Sequence, residues 1–254
     1  YKNAALTYEQ LANTTKDTSQ IHDALYNSSL FFAKAEEWEN AIRINTQFVK
    51  RFPDSEDADD MFYDIATYYL KLDKFDEANR IFGEYAEKFP TSPRVVETFY
   101  RRGKYFEDKE DFDKALEEYN KAVAKNEEFK QKEMDTNDYF AAEALSRANK
   151  IKFNRFQDIE FTLPLAKMEQ QRKQKRDLLI EIVDGFTKVA SYSTIHLYEA
   201  TYNIGKAYEE FADTWYRQEL PPMDLTRKIV TRKEINEIAV ELYERAEDSY
   251  KQSV

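Results

Sequence analysis

Residues 59–90 read DDMFYDIATYYLKLDKFDEANRIFGEYAEKFP, and this stretch decides the fold. Apolar residues fall at helical spacing in two runs, from Phe62 to Tyr69 and from Phe75 to Phe89, with a polar break between them. Pro90 cannot continue a helix, and Ser92 is placed to cap the next one. The stretch therefore predicts two antiparallel helices of roughly 15 residues each, joined by a short turn.

This helix pair is one unit of a repeat, because the same residue types return every 37 positions between residues 1 and 126. The recurring sets are Ala4, Ala41, Ala78 and Ala115; Tyr1, Trp38, Phe75 and Phe112; Tyr26, Tyr63 and Tyr100; Phe32, Tyr69 and Phe106; and Pro53 and Pro90. A fixed period of about 20–50 residues is typical of a solenoid, in which each unit buries its apolar face by stacking on its neighbours. Such a chain presents a surface rather than a reaction centre.

The composition also favours an all-α chain with a packed core. Hydrophobic residues make up 42% of the 254 residues, whereas 4 glycines and 6 prolines are too few for the tight turns of an all-β fold. The net charge of −11 disfavours nucleic acids and anionic lipids as partners. The absence of cysteine excludes disulfides and thiolate chemistry, and no apolar run reaches the roughly 20 residues that span a bilayer. We therefore predict no nucleic-acid partner and no direct membrane insertion.

The repeat resembles the tetratricopeptide repeat (TPR), a helix pair with small residues where the helices approach, aromatic residues around them and a closing proline. The residues that carry this resemblance are Ala66, Tyr69, Ala78, Phe82 and Pro90, and in the next unit Gly103, Phe106, Ala115, Tyr119 and Ala122. It covers residues 1–126, which we interpret as the second helix of a cut repeat at 1–16 followed by three repeats. The resemblance implies a right-handed α-solenoid of antiparallel helix pairs, a TPR-like superhelix, with protein or peptide partners and no cofactor.

The linkers between repeats suggest a location. Phe-Pro-Asp-Ser at 52–55 and Phe-Pro-Thr-Ser at 89–92 are similar to junctions in bacterial cell-envelope members of the family. This resemblance implies a periplasmic or outer-membrane-associated protein, with the cytoplasm as the alternative.

Residues 127–254 are expected to form divergent helical repeats, the irregular C-terminal part of the chain. We predict a charged connector at Glu127–Asp138, helices at Asp138–Phe156 and Leu165–Ala190, and an insertion near 211–235. Pro221-Pro222 forces a break in the insertion, which predicts a loop at Glu219–Asp224. The loop is a functional projection, a spacer or a terminal cap.

A basic cluster interrupts the apolar pattern of the Leu165–Ala190 helix. It consists of Arg172, Lys173, Lys175 and Arg176 within a polar run. One interpretation is a dock for an acidic partner or a lipid head group. The other, favoured by the acidic balance of the chain, is a solvated helix overhang.

No arrangement of residues predicts catalysis or metal binding. His22 and His196 are far apart in the sequence and lack a second ligand at metal spacing. The glycines are scattered within predicted helices, so no phosphate-binding loop is formed. We predict no catalytic residue and no metal ligand, and the protein is not expected to be an enzyme.

The candidate site is the concave face that first helices line in the tetratricopeptide family. The residues expected there are Tyr26, Leu30, Asp60, Tyr63, Thr67, Leu70, Lys71, Glu97, Tyr100, Arg101 and Lys104. The Tyr26–Tyr63–Tyr100 series has two interpretations. These tyrosines form a ladder of contacts for a partner, or they wedge neighbouring first helices together.

Two functional hypotheses follow. The first is a non-catalytic scaffold for protein–protein interaction that binds a partner segment on the concave face. The alternative is a structural spacer or an oligomer contact, through the chain ends and the Pro221 loop, within a larger cell-envelope assembly.

Overall fold

The computed structural model describes residues 1–192 and 196–253, and within these residues all regular secondary structure is helical. The eleven helices of the described part are α1 (Lys2–Thr14), α2 (Thr18–Lys34), α3 (Trp38–Arg51), α4 (Ala58–Lys71), α5 (Phe75–Lys88), α6 (Arg94–Asp108), α7 (Phe112–Gln131), α8 (Asp138–Gln157), α9 (Leu165–Tyr192), α10 (Leu197–Arg217) and α11 (Leu225–Gln252). Each helix packs on its chain neighbour within a unit, and the predicted all-α class is confirmed.

The chain divides into two compact units, Tyr1–Asp111 and Phe112–Val254. The first contains α1–α6 and the second contains α7–α11. The division predicted at residue 126 rests on repeat spacing and stays a prediction about the repeat organisation.

The recurrent small residues lie inside the packing. Ala41, Ala78 and Ala115 are completely buried, and Ala4 at the start of the chain is half-buried. Phe48 and Phe82 fill the space beside them. Close helix approach therefore occurs where the repeat predicts it.

The turns inside the helix pairs repeat one backbone conformation. Glu36, Asp73 and Glu110 are spaced by 37 residues, and their φ angles of 56°, 55° and 59° are left-handed. One position later in each turn, a backbone N–H bonds back across the turn, as Lys74 N does to the carbonyl of Tyr69 at 3.0 Å. This geometry satisfies helix-end carbonyls, although glycine would adopt it at a lower conformational cost.

The linker serines hydrogen-bond just before the N-caps of the following helices, so the prediction that Ser92 is itself a cap is wrong by one residue: the N-cap of α6 is Pro93. The Ser92 hydroxyl accepts a hydrogen bond from Arg94 N at 3.3 Å and is hydrogen-bonded to the Tyr85 hydroxyl at 2.8 Å. The equivalent Ser55 accepts from Asp57 N at 3.2 Å. The Phe-Pro-x-Ser motif thus has a structural explanation in starting the next helix.

In the second unit, the connector predicted at Glu127–Asp138 is largely helical, so this prediction is wrong over residues 127–131. Helix α7 continues to Gln131 because Phe129 is buried and holds the last turn in the core. Asn126 then closes the short loop by donating to Asp138 Oδ1 and accepting from Asn137 N, both at 2.7 Å.

The basic cluster of α9 is not a simple solvated overhang. Lys175 is completely buried, and its Nζ donates to the carbonyl of Ile159 at 2.9 Å, to Glu210 at 3.0 Å and to Thr214. Burial lowers the pKa of Lys175, while Glu210 favours its charged form. The first half of α9 therefore packs on α10 through one of the charged residues that the sequence assigns to solvent.

Candidate functional site

A groove of about 450 Å³ opens in the first unit between α4 and α6, with α5 at its floor. We call it the first-helix groove, since α4 and α6 are first helices of their repeats. Its lining residues are Leu70, Phe75, Ala78, Asn79, Phe82, Tyr100, Arg101, Lys104, Tyr105, Asp108 and Lys109. Aromatic and aliphatic carbon atoms dominate the floor, and charged groups form the rim.

The groove lies where a repeated aromatic stack is interrupted. In the preceding repeats, Tyr1 lies against Phe31 with ring centres 6.2 Å apart, and Trp38 lies against Tyr68 at 5.4 Å. The next pair in this register is Phe75 and Tyr105, and within the described residues no ring contact joins them. Phe75 is 53% exposed, and both rings line the groove instead.

The two equivalent tyrosines, Tyr68 and Tyr105, also differ in their hydrogen-bond partners. The hydroxyl of Tyr68 donates to Asp64 on its own helix at 3.3 Å. The position equivalent to Asp64 is Arg101, which offers no acceptor. Tyr105 donates instead to Asp76 at 2.7 Å, at the start of α5. Its ring is thereby held by Asp76 rather than against Phe75.

The cations on the rim are paired with carboxylates. Lys104 contacts Asp108 at 3.1 Å, and Lys109 contacts Asp76 at 2.6 Å. Hydrogen bonds from Lys109 and Tyr105 lower the pKa of Asp76, and the bond to Asp76 raises the pKa of Lys109 to about 12. These exposed pairs are weak and can exchange for groups of a ligand.

Some of the sequence-predicted residues meet at this groove and others do not. Leu70, Tyr100, Arg101 and Lys104 line it. Tyr26, Leu30, Asp60, Thr67 and Lys71 lie on first helices outside it, and Asp60 pairs with Arg94 at 2.8 Å.

Two further predicted residues bind a groove residue from the side. Arg101 contacts Glu97 at 2.6 Å and donates from Nε to the Tyr63 hydroxyl. Tyr63 is only 7% exposed and packs on Phe82 and Tyr85. The three equivalent tyrosines therefore differ. Tyr63 packs in the core, Tyr100 lines the groove and Tyr26 is at the surface.

Sequence reasoning missed Phe75, Asn79, Tyr105 and Lys109 as site residues. A signal for Tyr105 was present, because Phe31, Tyr68 and Tyr105 also recur at 37-residue spacing. Phe75 belongs to the recurring set of Tyr1, Trp38, Phe75 and Phe112.

The arrangement can hold an apolar side chain and hydrogen-bond a peptide backbone. Among the described residues, no cluster of three or more histidines and carboxylates is arranged to hold a metal ion. None of the helices in residues 1–192 and 196–253 combines the length and apolar character needed to cross a bilayer.

Two family models of the tetratricopeptide repeat match the sequence, one over residues 63–128 and the other over residues 23–55. None of the curated proteins matches the chain.

Several crystal structures align with this chain over most of its length. MamA protein shares 13% identity over 99% of this chain and 94% of its own, with a TM-score of 0.46. YrrB, described as a TPR protein with an unusual peptide-binding site, shares 18% identity over 90% and 86%, with a TM-score of 0.46. A tetratricopeptide repeat protein from Parabacteroides merdae shares 15% over 92% of each chain, with a TM-score of 0.42. At these values the likeness does not extend to function.

Proposed function

We propose that this chain, whose residues 23–55 and 63–128 match models of the tetratricopeptide repeat, is a non-catalytic scaffold that binds a segment of a partner protein along its first helices. The observation that carries this proposal is the first-helix groove, where the predicted residues Leu70, Tyr100, Arg101 and Lys104 meet two unstacked aromatic rings. Aromatic and arginine side chains are the types that dominate binding energy at protein interfaces.

The groove defines what the segment needs. An apolar or aromatic side chain of the partner enters between Phe75 and Tyr105 and takes the place of the missing stack. Asn79 and Lys104 provide hydrogen-bonding groups for the segment's backbone carbonyls. The remaining predicted residues on α2 and α4, among them Tyr26 and Lys71, extend the contact along the same series of first helices.

A peptide selection tests this proposal. A random peptide library displayed on phage is depleted on the Phe75→Ala/Lys104→Glu variant and then selected on the wild-type chain. The affinity of the selected peptides is measured by fluorescence anisotropy with each single variant. We expect Phe75→Ala and Lys104→Glu each to weaken binding about tenfold, a loss of about 1.4 kcal/mol.

Matched controls lie on exposed positions of the same unit. Leu6→Ala removes an exposed apolar side chain, and Lys16→Glu makes the same charge change outside the groove. Both are expected to bind like the wild type. A selection that enriches no peptide, or peptides that bind all variants equally, would reject the proposal.

An oligomer contact is the second candidate function, and the start of α11 favours it. Residues 225–230 contain no buried side chain, and Leu225, Ile229 and Val230 are exposed directly after the Pro221 loop. Sedimentation velocity over a range of concentrations tests this candidate. A mass that stays monomeric rejects it, and association that Ile229→Asp abolishes supports it. The cell-envelope location inferred from the linkers stays a prediction that fractionation of the source cells can check.

A further inference from the structure

A second groove lies in the second unit. Helices α9 and α11 both pack on α10, and a groove of about 780 Å³ runs between them. It shares no lining residue with the first-helix groove, which lies in the first unit. The second groove is therefore a distinct site, and it does not rest on the function proposed above.

The length of the groove suits a helix. Its lining residues on α9 run from Glu169 to Asp184 along one face, at helical intervals of three or four residues. At 1.5 Å per residue, these positions span about 22 Å, or about four turns. Residues Ile238 to Arg245 of α11 form the opposite wall. Hydrophobic grooves between helices bind amphipathic helices.

The centre of the groove is apolar. Leu179, Phe211, Trp215 and Leu242 line it, and Ile180 on its α9 wall is 53% exposed. Apolar side chains of α9, α10 and α11 thus line one groove together, in contrast to the scattered single side chains of an ordinary surface.

One end of the groove is basic. Arg172 is held over the Trp215 ring at 4.7 Å and is paired with Glu169 at 2.6 Å. Arg176 pairs with the adjacent Asp177 at 3.6 Å. Lys173 has no ion-pair partner in the part of the chain that the structure describes. Two cations in a chain of net charge −11 are thus left largely without neutralisation beside an apolar groove.

The other end of the groove differs. It has Asp184 on α9 and an Arg245–Glu241 pair at 2.9 Å on α11. The excess positive charge is therefore confined to one end, which sets both the sign of the ligand charge and its position along the ligand.

We propose that this groove binds an amphipathic helix of a partner protein, with apolar residues against Ile180 and Trp215 and acidic residues beside Lys173 and Arg176. The basic cluster recognised in the sequence thereby acquires a role. Lys175 anchors α9 to α10, and its neighbours in the cluster face the ligand.

The test uses two synthetic helical peptides of about 18 residues, which cover the groove length. Both carry leucine on one face, and the opposite face carries glutamate in one peptide and lysine in the other. The protein is the full chain with Trp38→Phe, which leaves Trp215 as the sole tryptophan. We expect the acidic peptide to shift Trp215 emission to shorter wavelength and to bind at least about tenfold more tightly than the basic peptide.

Substitutions on α9 locate the binding. The Ile180→Asp variant and the Lys173→Glu/Arg176→Glu double variant are each expected to bind the acidic peptide about tenfold more weakly. Leu165→Asp and Lys167→Glu make matched changes at exposed positions of the same helix outside the groove and are expected to leave binding unchanged. Circular dichroism checks that each variant is folded.

Three outcomes would overturn the proposal. One is equal binding of the acidic and basic peptides, and another is binding that Ile180→Asp does not change. The third is self-association of the wild type that Ile180→Asp abolishes, because a second copy would then occupy the groove. The Phe75→Ala/Lys104→Glu variant must bind the acidic peptide like the wild type, so that failure of one groove is distinguished from failure of the other.

Discussion

The Nε atom of Arg101 donates a hydrogen bond to the hydroxyl oxygen of Tyr63, 3.1 Å away, and joins α6 to α4 beside the first-helix groove. The same Nε also donates to Glu97 at 2.7 Å, so the guanidinium is held by a residue of its own helix, α6, as well as by Tyr63 of α4. Its carbon lies 5.9 Å from the Phe82 ring centre, on the groove floor. The position of one groove residue is therefore set by a buried tyrosine in the preceding repeat.

Tyr63 is expected to act mainly through stability. Tyr63→Phe removes only the hydroxyl and should lower the free energy of unfolding by about 1 kcal/mol. Tyr63→Ala should cost about 3–5 kcal/mol, since it empties a buried aromatic position. Urea unfolding followed by circular dichroism measures both changes. Equal stabilities for the two variants would contradict the assigned packing.

Phe75 and Phe82 should differ sharply although both belong to the same apolar stripe in the sequence. Phe82 is buried, so Phe82→Ala should cost about 3–5 kcal/mol. Phe75 is mostly exposed in the groove, so Phe75→Ala should cost less than about 1 kcal/mol. Urea midpoints compare the two variants directly. A large loss for Phe75→Ala would show that its ring is a core residue.

The left-handed turn at Glu36 provides a stabilising substitution. Its φ of 56° costs a residue with a side chain more than it costs glycine. Glu36→Gly should therefore raise the free energy of unfolding by up to about 1 kcal/mol. Glu36→Ala keeps the strain and serves as the control. The explanation fails if thermal melts show the glycine variant to be no more stable than the alanine variant.

Alkaline pH should destabilise the protein through buried tyrosines. Burial and a hydrogen bond donated to Asp59 raise the pKa of Tyr85, and burial also raises that of Tyr63. Unfolded tyrosines lose their protons near pH 10 while the folded ones keep them, so the folded state binds more protons above about pH 10. Stability is therefore retained below this pH and is lost as the pH rises, by up to about 1.4 kcal/mol per pH unit for each tyrosine.

Urea unfolding between about pH 9 and 11 measures this loss. Tyr85→Phe removes one of the ionising tyrosines, so the free energy of unfolding should fall less steeply with pH in this variant than in the wild type. A decline of unchanged slope would mean that Tyr85 ionises in the folded protein as easily as in the unfolded chain.

Lys175 should be a stability determinant despite its place in a charged run. Lys175→Met removes the ion pair with Glu210 and leaves the Ile159 carbonyl without the Lys175 donor, so we expect a loss of about 3 kcal/mol. Lys173→Met is the matched control on the exposed side of α9 and should change stability by less than about 0.5 kcal/mol. Chemical denaturation of the two variants measures the change in the free energy of unfolding for each. Similar stabilities would remove the proposed anchor between α9 and α10.

The repeat register predicted the fold because packing positions recur with the sequence. Ala41 and Ala78 are small and buried where the 37-residue interval places them, and Pro90 follows the end of α5. The composition also identified the helical class. These features depend on local spacing, which a single sequence displays directly.

The first-helix groove was harder to predict because it depends on a departure from the repeat. Phe75 and Tyr105 have the residue types expected at their positions, and two departures accompany the open groove: a phenyl stands where the preceding repeat has the indole of Trp38, and Tyr105 bonds to Asp76 whereas Tyr68 bonds to Asp64. Likewise, a polar run in the sequence cannot reveal which of its members is buried. The identity of Lys175 as that residue depends on Glu210 and Thr214, which lie on a different helix.

The interrupted aromatic stack also shows how one repeat in an array of similar repeats can acquire a binding site that its neighbours lack. The indole of Trp38 lies against Tyr68, whereas the phenyl of Phe75 is 53% exposed and lines an opening. Enlarging that phenyl by Phe75→Trp should seal the opening, and Trp38→Phe together with Asp64→Arg should create a counterpart one module earlier. Exchanging two side chains would in this way move the binding site from one repeat to another, without redesigning the scaffold.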